Sequence, residues 1–219
     1  IPSTVDVLEE GWCSNTKNLN HVYLSPNNKN YKYLDETQKI IIGKSDSKSD
    51  TYDKIVFSCR DIIRVTIPSS IKQIGSYAFN HSNLKHINFE KNSKLEIIEI
   101  GAFDNCQLIS FEITANVYQL KDGWLGHRWS PIDVIISPMN KFYKYINDSI
   151  IVGKSDLNSD EFDVVVYATF EIKKAIIPSS IKYIDSFAFF NCQILEKVEF
   201  QSDSNLISIG ESAFYWTRI

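Results

Sequence analysis

Short clusters of apolar residues recur along the chain at positions i, i+3 and i+5. They are Leu19, Val22, Leu24; Ile62, Val65, Ile67; Leu84, Ile87, Phe89; Leu108, Phe111, Ile113; Pro131, Val134, Ile136; Ile172, Ala175, Ile177; and Leu195, Val198, Phe200. The step from i+3 to i+5 has period two, which predicts a short strand with one buried face. Most clusters start 22 to 24 residues apart, and two intervals are nearly doubled. The pattern therefore predicts a stack of coils.

A second apolar signature follows many of these strands. It has the form Ile71-x-x-Ile74-x-x-x-Ala78-Phe79 and returns in residues 95–103, 181–189 and 206–214. Spacings of three and four suit one turn of helix whose apolar stripe faces the strands, with Ala allowing close approach. Neither element buries its apolar face alone, but stacked coils bury it against each other.

A longer repeat encloses the shorter one. Residues 25–33 return as residues 137–145 at an offset of 112, and Ile67-Pro68-Ser69-Ser70-Ile71-Lys72 returns as residues 177–182 at an offset of 110. The chain thus divides into a first copy, 1–112, and a second copy, 113–219. Because the apolar pattern runs through both, we expect a single solenoid over residues 1–219 rather than two globular domains.

Two stretches, 25–60 and 137–170, depart from the coil pattern. The first contains the β-prone runs Tyr31–Leu34, Ile40–Ile42 and Ile55–Phe57, separated by polar segments. Such runs predict strands joined by turns, either as a hairpin that stands off the solenoid or as a degenerate coil within it. We favour a degenerate coil with a hairpin elaboration.

The repeated residues resemble the BspA-like class of leucine-rich repeat. The resemblance lies in Ile67-Pro68-Ser69-Ser70-Ile71, in Ile74-Gly75, in Ala78-Phe79 and in Ala188-Phe189-Phe190-Asn191-Cys192. It covers nearly the whole chain. It implies an α/β repeat fold: a right-handed leucine-rich-repeat solenoid with short parallel strands on the concave face, short helical turns or irregular segments opposite, and β-hairpin-like elaborations. It also implies a surface protein of a bacterium or a parasitic protist, acting in adhesion.

Composition and the chain ends bear on the expected partners and on the extent of the repeat array. The chain has a net charge of −4 and dispersed basic residues, which makes nucleic acid an unexpected partner. No stretch has the roughly 20 apolar residues that span a bilayer, so we expect no direct membrane insertion. The first residues are equivalent to Ile67–Ile71, and the chain ends soon after Ala213-Phe214. We therefore expect a fragment of a longer array, with any leader or anchor outside it.

Two segments carry partial ligand-binding motifs. Gly43-Lys44-Ser45 and its copy Gly153-Lys154-Ser155 end like a phosphate loop but lack its upstream glycine, so a plain turn is expected. The oxygen-bearing residues Asp156, Asn158, Asp160 and Asp163 are spaced somewhat like a calcium loop. The tight glycine is missing and the first copy has Lys48 in a ligand position, which favours a solvated acidic turn.

The remaining reactive residues predict structure more than chemistry. The four cysteines form no disulfide pattern and are expected to be buried thiols. None of the histidines, His21, His81, His86 and His127, recurs between copies, so surface positions are expected rather than an active site. Trp12 and Trp124 recur and predict packing, whereas Trp129 and Trp216 do not and are read as exposed contacts or end effects. The sequons at Asn80 and Asn147 accept glycans only in a secreted eukaryotic protein. No cofactor and no metal is expected.

Outward strand positions are the candidate binding surface. They are His21, Tyr23, Arg64, Thr66, His86, Asn88, Ser110, Glu112, Asp133, Ile135, Lys174, Ile176, Lys197 and Glu199. They differ from coil to coil while the core stays apolar, which suits the recognition of an extended protein partner. Ile135 and Ile176 predict either a strip covered by the 137–170 segment or a small apolar patch.

The sequence thus predicts a non-enzymatic protein-binding and adhesion module at the cell surface or secreted from the cell. Its partners would be proteins of a host-cell surface, of the extracellular matrix or of other cells. The main alternative is an intracellular, cytoplasmic scaffold or structural array built from the same coils. A calcium-dependent binding module is a third possibility, which an unchanged melting temperature with and without calcium would contradict.

Overall fold

The computed structural model describes all 219 residues and contains seventeen short strands and no helix. In chain order the strands are β1 (Tyr31–Tyr33), β2 (Ile40–Gly43), β3 (Lys54–Ser58), β4 (Arg64–Ile67), β5 (Gln73–Ile74), β6 (His86–Phe89), β7 (Ile97–Ile98), β8 (Ser110–Ile113), β9 (Gln119–Leu120), β10 (Asp133–Ile136), β11 (Tyr143–Ile146), β12 (Ile150–Gly153), β13 (Val164–Ala168), β14 (Lys174–Ile177), β15 (Tyr183–Ile184), β16 (Lys197–Phe200) and β17 (Ser208–Ile209). The chain winds through them as a β-solenoid.

Six of the seven apolar clusters at i, i+3 and i+5 form the predicted strands. Strands β4 and β6, β8 and β10, and β14 and β16 pair in parallel. In β4, Val65 and Ile67 are buried, whereas Arg64 and Thr66 are exposed. The period-two alternation thus places one apolar face of these strands in the core, as the sequence predicts, except in β16, where Val198 is half-buried and Phe200 is exposed.

The segment after each strand is not helical, which corrects the expected helical turn. It contains a two-residue strand followed by a turn, and strands β5, β7 and β9 pair in parallel with one another. Each turn holds two residues with left-handed backbone, spaced four apart. These pairs are Tyr77 and His81, Gly101 and Asn105, Phe187 and Asn191, and Ser212 and Trp216. A left-handed residue interrupts a right-handed helix, so the backbone bonds to the next coil instead, as Phe79 N does to Ala102 O (2.9 Å).

The two irregular stretches form hairpins that are continuous with the solenoid. Strand β2 pairs antiparallel with both β1 and β3, and β3 pairs in parallel with β5 of the next coil. The second copy repeats this arrangement in β11, β12, β13 and β15. The favoured interpretation, a degenerate coil with a hairpin elaboration, describes this geometry.

Each hairpin forms a wall between two parts of the core. Ile151 of β12 packs into a cluster of 29 buried residues, while Ile150 and Val152 pack into a cluster of 14. In the same way Ile40 and Ile42 belong to the large cluster, and Ile41 faces a cluster of six. Burial on both faces explains why these strands are continuously apolar instead of alternating.

The predicted strand through Val22 and Leu24 does not form. This segment is irregular, and it is held by Tyr33, whose hydroxyl donates to Val22 O (2.8 Å) and accepts from Leu24 N (2.9 Å). The equivalent residues of the second copy lie in β10, which pairs with β8. The equivalent phenol of the second copy, Tyr145, also donates to Val134 O (2.6 Å), so the two segments differ in strand pairing and not in this bond.

Candidate binding face

The outward residues of β4, β6, β8, β10, β14 and β16 form a set that we call the strand face. Across paired strands, Arg64 lies opposite His86 and Thr66 opposite Asn88; Ser110 lies opposite Asp133 and Glu112 opposite Ile135; Lys174 lies opposite Lys197 and Ile176 opposite Glu199. The other two predicted residues, His21 and Tyr23, are exposed but lie in the irregular first coil. Twelve of the fourteen positions therefore share this arrangement.

The strand face has two parts. A hydrogen bond from Ile109 N to Lys85 O (3.2 Å) links the β4–β6 pair to the β8–β10 pair. No strand pairing joins β10 to β14, because β11, β12 and β13 lie between them in the chain. A partner that spans the whole surface would have to cross this interruption.

The first part of the strand face carries unpaired charges. Arg64, Glu112 and Asp133 are exposed, and none of them forms an ion pair within the chain. Their charges are therefore free to meet complementary groups on another molecule without first breaking an internal contact.

The second part of the strand face has an internal charge network. The Glu199 carboxylate accepts from Lys174 Nζ and from Lys197 Nζ, both at 2.7 Å. Hydrogen bonds from Lys174 and Lys197 lower the pKa of Glu199 to about 2. This exposed network is expected to add little stability, because water and salt screen it.

The two outward isoleucines are exposed, so the 137–170 segment does not cover them. Ile135 is 57% exposed and Ile176 is 41% exposed. Ile135 lies opposite Glu112 and Ile176 opposite Glu199, so each apolar side chain has an acidic neighbour. The result is two small amphipathic patches, one in each part of the strand face.

The partial ligand motifs lie in turns. Gly153 ends β12, and Lys154 packs over the Phe162 ring at 5.1 Å. Asp163 is buried and accepts from Ser155 N (2.8 Å) and Ser155 Oγ (2.7 Å), so it closes the 155–163 loop. Burial opposes ionisation of Asp163, but the bonds from Ser155 and Lys182 outweigh it and lower its pKa. This carboxylate therefore has a structural role in the loop.

The histidines and cysteines have separate environments. Cys13, Cys59 and Cys192 are buried and Cys106 is half-buried, as expected for core thiols. Burial raises the pKa of Cys106 to about 12 and that of Cys192 to about 11. His127 Nδ1 lies 2.9 Å from Asp104 Oδ1, a pairing that sequence spacing alone does not reveal.

A recess and an aromatic ridge were not foreseen as a site. The recess has a volume of about 280 Å³ and lies where the two copies meet, between Tyr77 and Phe187. Beside it, Phe190 contacts Trp129 and Tyr215, and Trp129 contacts Trp216. The only sequence signal for this region was that Trp129 and Trp216 do not recur between copies.

This fold defines a leucine-rich-repeat protein built only from strands and turns. Its sequence matches the family described as BspA type Leucine rich repeat region, in six copies over residues 27–128 and 161–219. The match covers more than half of the chain, and the chain belongs to this family. None of the curated proteins matches it. The structure also contains no helix long and apolar enough to span a membrane.

Three solved structures share this fold. The pneumococcal vaccine antigen PcpA matches with a TM-score of 0.60 at 24% identity, over 71% of this chain and 37% of that protein. A leucine rich cell surface protein from Faecalibacterium prausnitzii A2-165 matches with a TM-score of 0.55 at 21% identity, over 69% and 38%. A leucine-rich repeat protein from Eubacterium ventriosum matches with a TM-score of 0.54 at 22% identity, over 73% and 46%. The matched part is less than half of each of these proteins.

Proposed function

We propose that the chain is a non-enzymatic protein-binding module of a cell surface, which engages proteins of a host cell, of the extracellular matrix or of another cell through its strand face. One observation carries this proposal. Equivalent outward residues differ between the copies while the inward ones stay apolar: Thr66 is replaced by Ile176, and Asn88 by Glu199. The outward positions are thus free to be fitted to a partner, while the inward positions keep the fold.

The kinship supports the same assignment. The chain belongs to the BspA-type repeat family, and two of the proteins that share its fold are described as a vaccine antigen and as a cell surface protein. Secretion or surface anchoring of the protein containing this chain follows from the proposal. The proposal assigns a binding role, not a catalytic one, to the strand face, which has mixed charges and two exposed isoleucines.

The test is adhesion of the chain to epithelial cells and to immobilised matrix proteins. The face variant carries Arg64→Glu, Asn88→Ala, Glu112→Lys and Lys174→Glu. A matched control carries the same types of change on exposed loop residues: Lys48→Glu, Asn158→Ala, Asp160→Lys and Lys141→Glu. We expect the face variant to lose adhesion and the control to keep it. Equal adhesion of the two variants would remove the strand face as the binding surface.

An intracellular scaffold is the second candidate. It is favoured by the four cysteines, all of which are free, since secreted proteins commonly pair theirs. Antibody labelling of intact and of permeabilised source cells separates the two candidates. Labelling that requires permeabilisation would overturn the surface assignment and support the scaffold.

A further inference from the structure

The boundary recess is formed by equivalent residues of the two copies. Tyr77 of the first copy and Phe187 of the second, offset by 110 residues, both line it. Each ring lies against a glycine of a neighbouring coil. A Cβ added to Gly101 would collide with the Tyr77 ring, and one added to Gly123 would lie 3.2 Å from Phe187. The glycines therefore let both rings pack directly against the backbone, where they form two aromatic walls of the recess.

The charge of this recess is negative. Asp104, Asp122 and Glu211 line it, together with His127, and no Lys or Arg does. Asp122 accepts from both Ser186 N and Ser186 Oγ (2.6 Å for the second bond), which ties it to the second copy. Burial raises the pKa of Tyr77, and the charges of Asp104, Glu10 and Glu211 raise it further. The Tyr77 phenol thus lies in a field that favours a cation.

The aromatic ridge extends from the recess. His127 and Phe187, which line the recess, lie 4.8 Å apart by ring centroids, and His127 lies 5.3 Å from Phe190. Phe190 leads on to Trp129, Tyr215 and Trp216 through the ring contacts described above. Trp129, which lies in an interior coil, is 55% exposed. The ridge therefore presents a large ring to solvent next to an acidic recess.

The fold itself does not require these rings. In the first copy the equivalents of Phe190, Tyr215 and Trp216 are Asn80, Asp104 and Asn105, and Trp129 corresponds to Lys17. The first copy builds the same turn with hydrogen bonds, in which Asn80 Nδ2 donates to Asp104 Oδ2 (2.9 Å). Because a polar ladder suffices for the turn, the exposed Trp129 ring of the second copy calls for a different explanation.

We propose that the boundary recess and the aromatic ridge together bind an arginine-rich segment of a partner protein. One guanidinium enters the recess and pairs with the carboxylates of Asp122 and Glu211, and further guanidinium groups stack on Trp129 and Trp216. Arginine fits this surface better than lysine because its planar group both pairs with carboxylates and stacks on rings. This site lies outside the strand face and does not rest on the function proposed for that face.

The test uses hexa-arginine, hexa-lysine and hexa-glutamate peptides as probes. Binding is measured by isothermal titration at about 150 mM salt, where long-range attraction to an acidic protein is screened. A second readout is tryptophan fluorescence. We expect hexa-arginine to bind about tenfold tighter than hexa-lysine and to quench the fluorescence, and hexa-glutamate not to bind.

Two variants and a matched control locate the site. The acid variant, Asp122→Asn with Glu211→Gln, should weaken hexa-arginine binding about tenfold. The ridge variant, Trp129→Gln with Trp216→Asn, should weaken it about fivefold. Asn is the residue that the first copy has at the left-handed position of Trp216, so the turn should be kept. The control, Glu36→Gln with Glu171→Gln, removes the same charge elsewhere and should bind like the unchanged chain.

Melting temperatures identify a variant that fails to fold. If the acid variant does not fold, binding of hexa-arginine to the ridge variant tests the proposal, because the ridge variant leaves the Asp122 hydrogen bonds intact. Three results would overturn the proposal: no binding of hexa-arginine, hexa-lysine binding as tightly as hexa-arginine, or equal weakening in the control. Each result is independent of adhesion through the strand face, which is measured with the face variant.

Discussion

In the first copy the carbonyl of Ser58, at the end of β3, accepts a hydrogen bond from Arg60 Nη1 (3.1 Å). In the second copy the equivalent carbonyl, Ala168 O, accepts from Arg128 Nη2 (3.1 Å), and Arg128 precedes the hairpin instead of following it. Position by position, Thr16 and Arg60 in the first copy correspond to Arg128 and Phe170 in the second. Both copies thus place one buried arginine at the end of the last hairpin strand, which we call the junction. The arginine comes from the segment after the hairpin in the first copy and from the segment before it in the second.

The comparison teaches what the junction requires. The hairpin interrupts the coil-to-coil ladder, and Ala168 O at its end has no backbone donor from the next coil. Phe187 O and Ala188 O, by contrast, also accept from Phe190 N (3.1 Å) and Ala168 N (2.8 Å). Arg60 bonds to carbonyls of Cys13, Thr16 and Ser58, and Arg128 to those of Phe187, Ala168 and Ala188. A guanidinium has five donors in a rigid fork, so one side chain satisfies several carbonyls. Burial lowers the pKa of both arginines, which measures the cost of holding a charge there.

The largest expected effect on stability comes from giving the second copy the arginine position of the first. Arg128→Thr removes the guanidinium donor of buried Ala168 O and one of two donors each from Phe187 O and Ala188 O, and it should lower the free energy of unfolding by about 3 kcal/mol. Adding Phe170→Arg installs the arrangement of the first copy and should recover about half of that loss. Urea denaturation of the wild type, both single variants and the double variant measures the coupling.

If either arginine satisfies the junction, the double variant must be more stable than Arg128→Thr. A double variant as unstable as the sum of the single changes would show that the two copies close their junctions in ways that are not interchangeable.

The next contrast lies in the cleft between each hairpin and the coil before it. Asp185 lines this cleft in the second copy, where the first copy has Gly75. Burial, with a contribution from the charge of Asp122, raises the pKa of Asp185 from 3.8 to about 7. Lys121 and Lys154 line the same cleft, but neither forms an ion pair with Asp185. The second copy therefore carries a pH-dependent group that the first lacks.

Between pH 4 and pH 7 the folded chain keeps a proton on Asp185 that the unfolded chain has released. Stability should therefore fall as the pH rises through this window. Asp185→Asn removes the effect and should be more stable than the unchanged chain by about 3 kcal/mol at pH 8, with no such gain at pH 3.5. Thermal unfolding at both pH values measures this, and a gain that is equal at both would contradict a titrating Asp185.

Much of the fold is readable from the sequence, and the unpredicted parts have clear physical reasons. The alternation in segments such as Arg64–Ile67 predicts a half-buried strand because only one face meets the core. The spacing of Ile74, Ala78 and Phe79 suits a helical turn as well as the observed left-handed turn, and nothing in a residue such as Tyr77 signals its positive φ. Periodicity reports which residues are buried, and it does not report the backbone path between them.

The two candidate sites also differ in how far the sequence predicts them. The strand face follows from alternation within each strand, so its residues could be named in advance. The boundary recess joins Tyr77 and Phe187, which are 110 residues apart, and its position depends on how many coils separate them. Sequence comparison of the copies did mark Trp129 and Trp216 as unusual, but it could not place them beside acidic groups.

The smallest expected effect concerns an asparagine that in each copy donates to two carbonyls of the preceding coil; we call this arrangement the latch. Asn140 Nδ2 donates to Thr114 O (2.7 Å) and Val117 O (2.8 Å), and its Oδ1 accepts from Phe142 N and Tyr143 N. Asn28 makes the equivalent bonds to Pro2 O and Val5 O. The two latches hold different neighbours, because Asn140 joins interior coils and Asn28 holds the first coil, whose core cluster has only six buried residues.

The loss of stability should therefore depend more on position along the solenoid than on burial of the asparagine, although Asn28 is the more buried of the two. Asn140→Ala should lower the global free energy of unfolding by about 2 kcal/mol. Asn28→Ala should lower it by less than about 1 kcal/mol, because the first coil opens locally before the rest unfolds. Amide hydrogen exchange distinguishes the two: Asn28→Ala should lose protection only within residues 1–24, and Asn140→Ala throughout the coils on both sides. If Asn28→Ala lowered protection throughout the chain, the first coil would be as firmly coupled as an interior one.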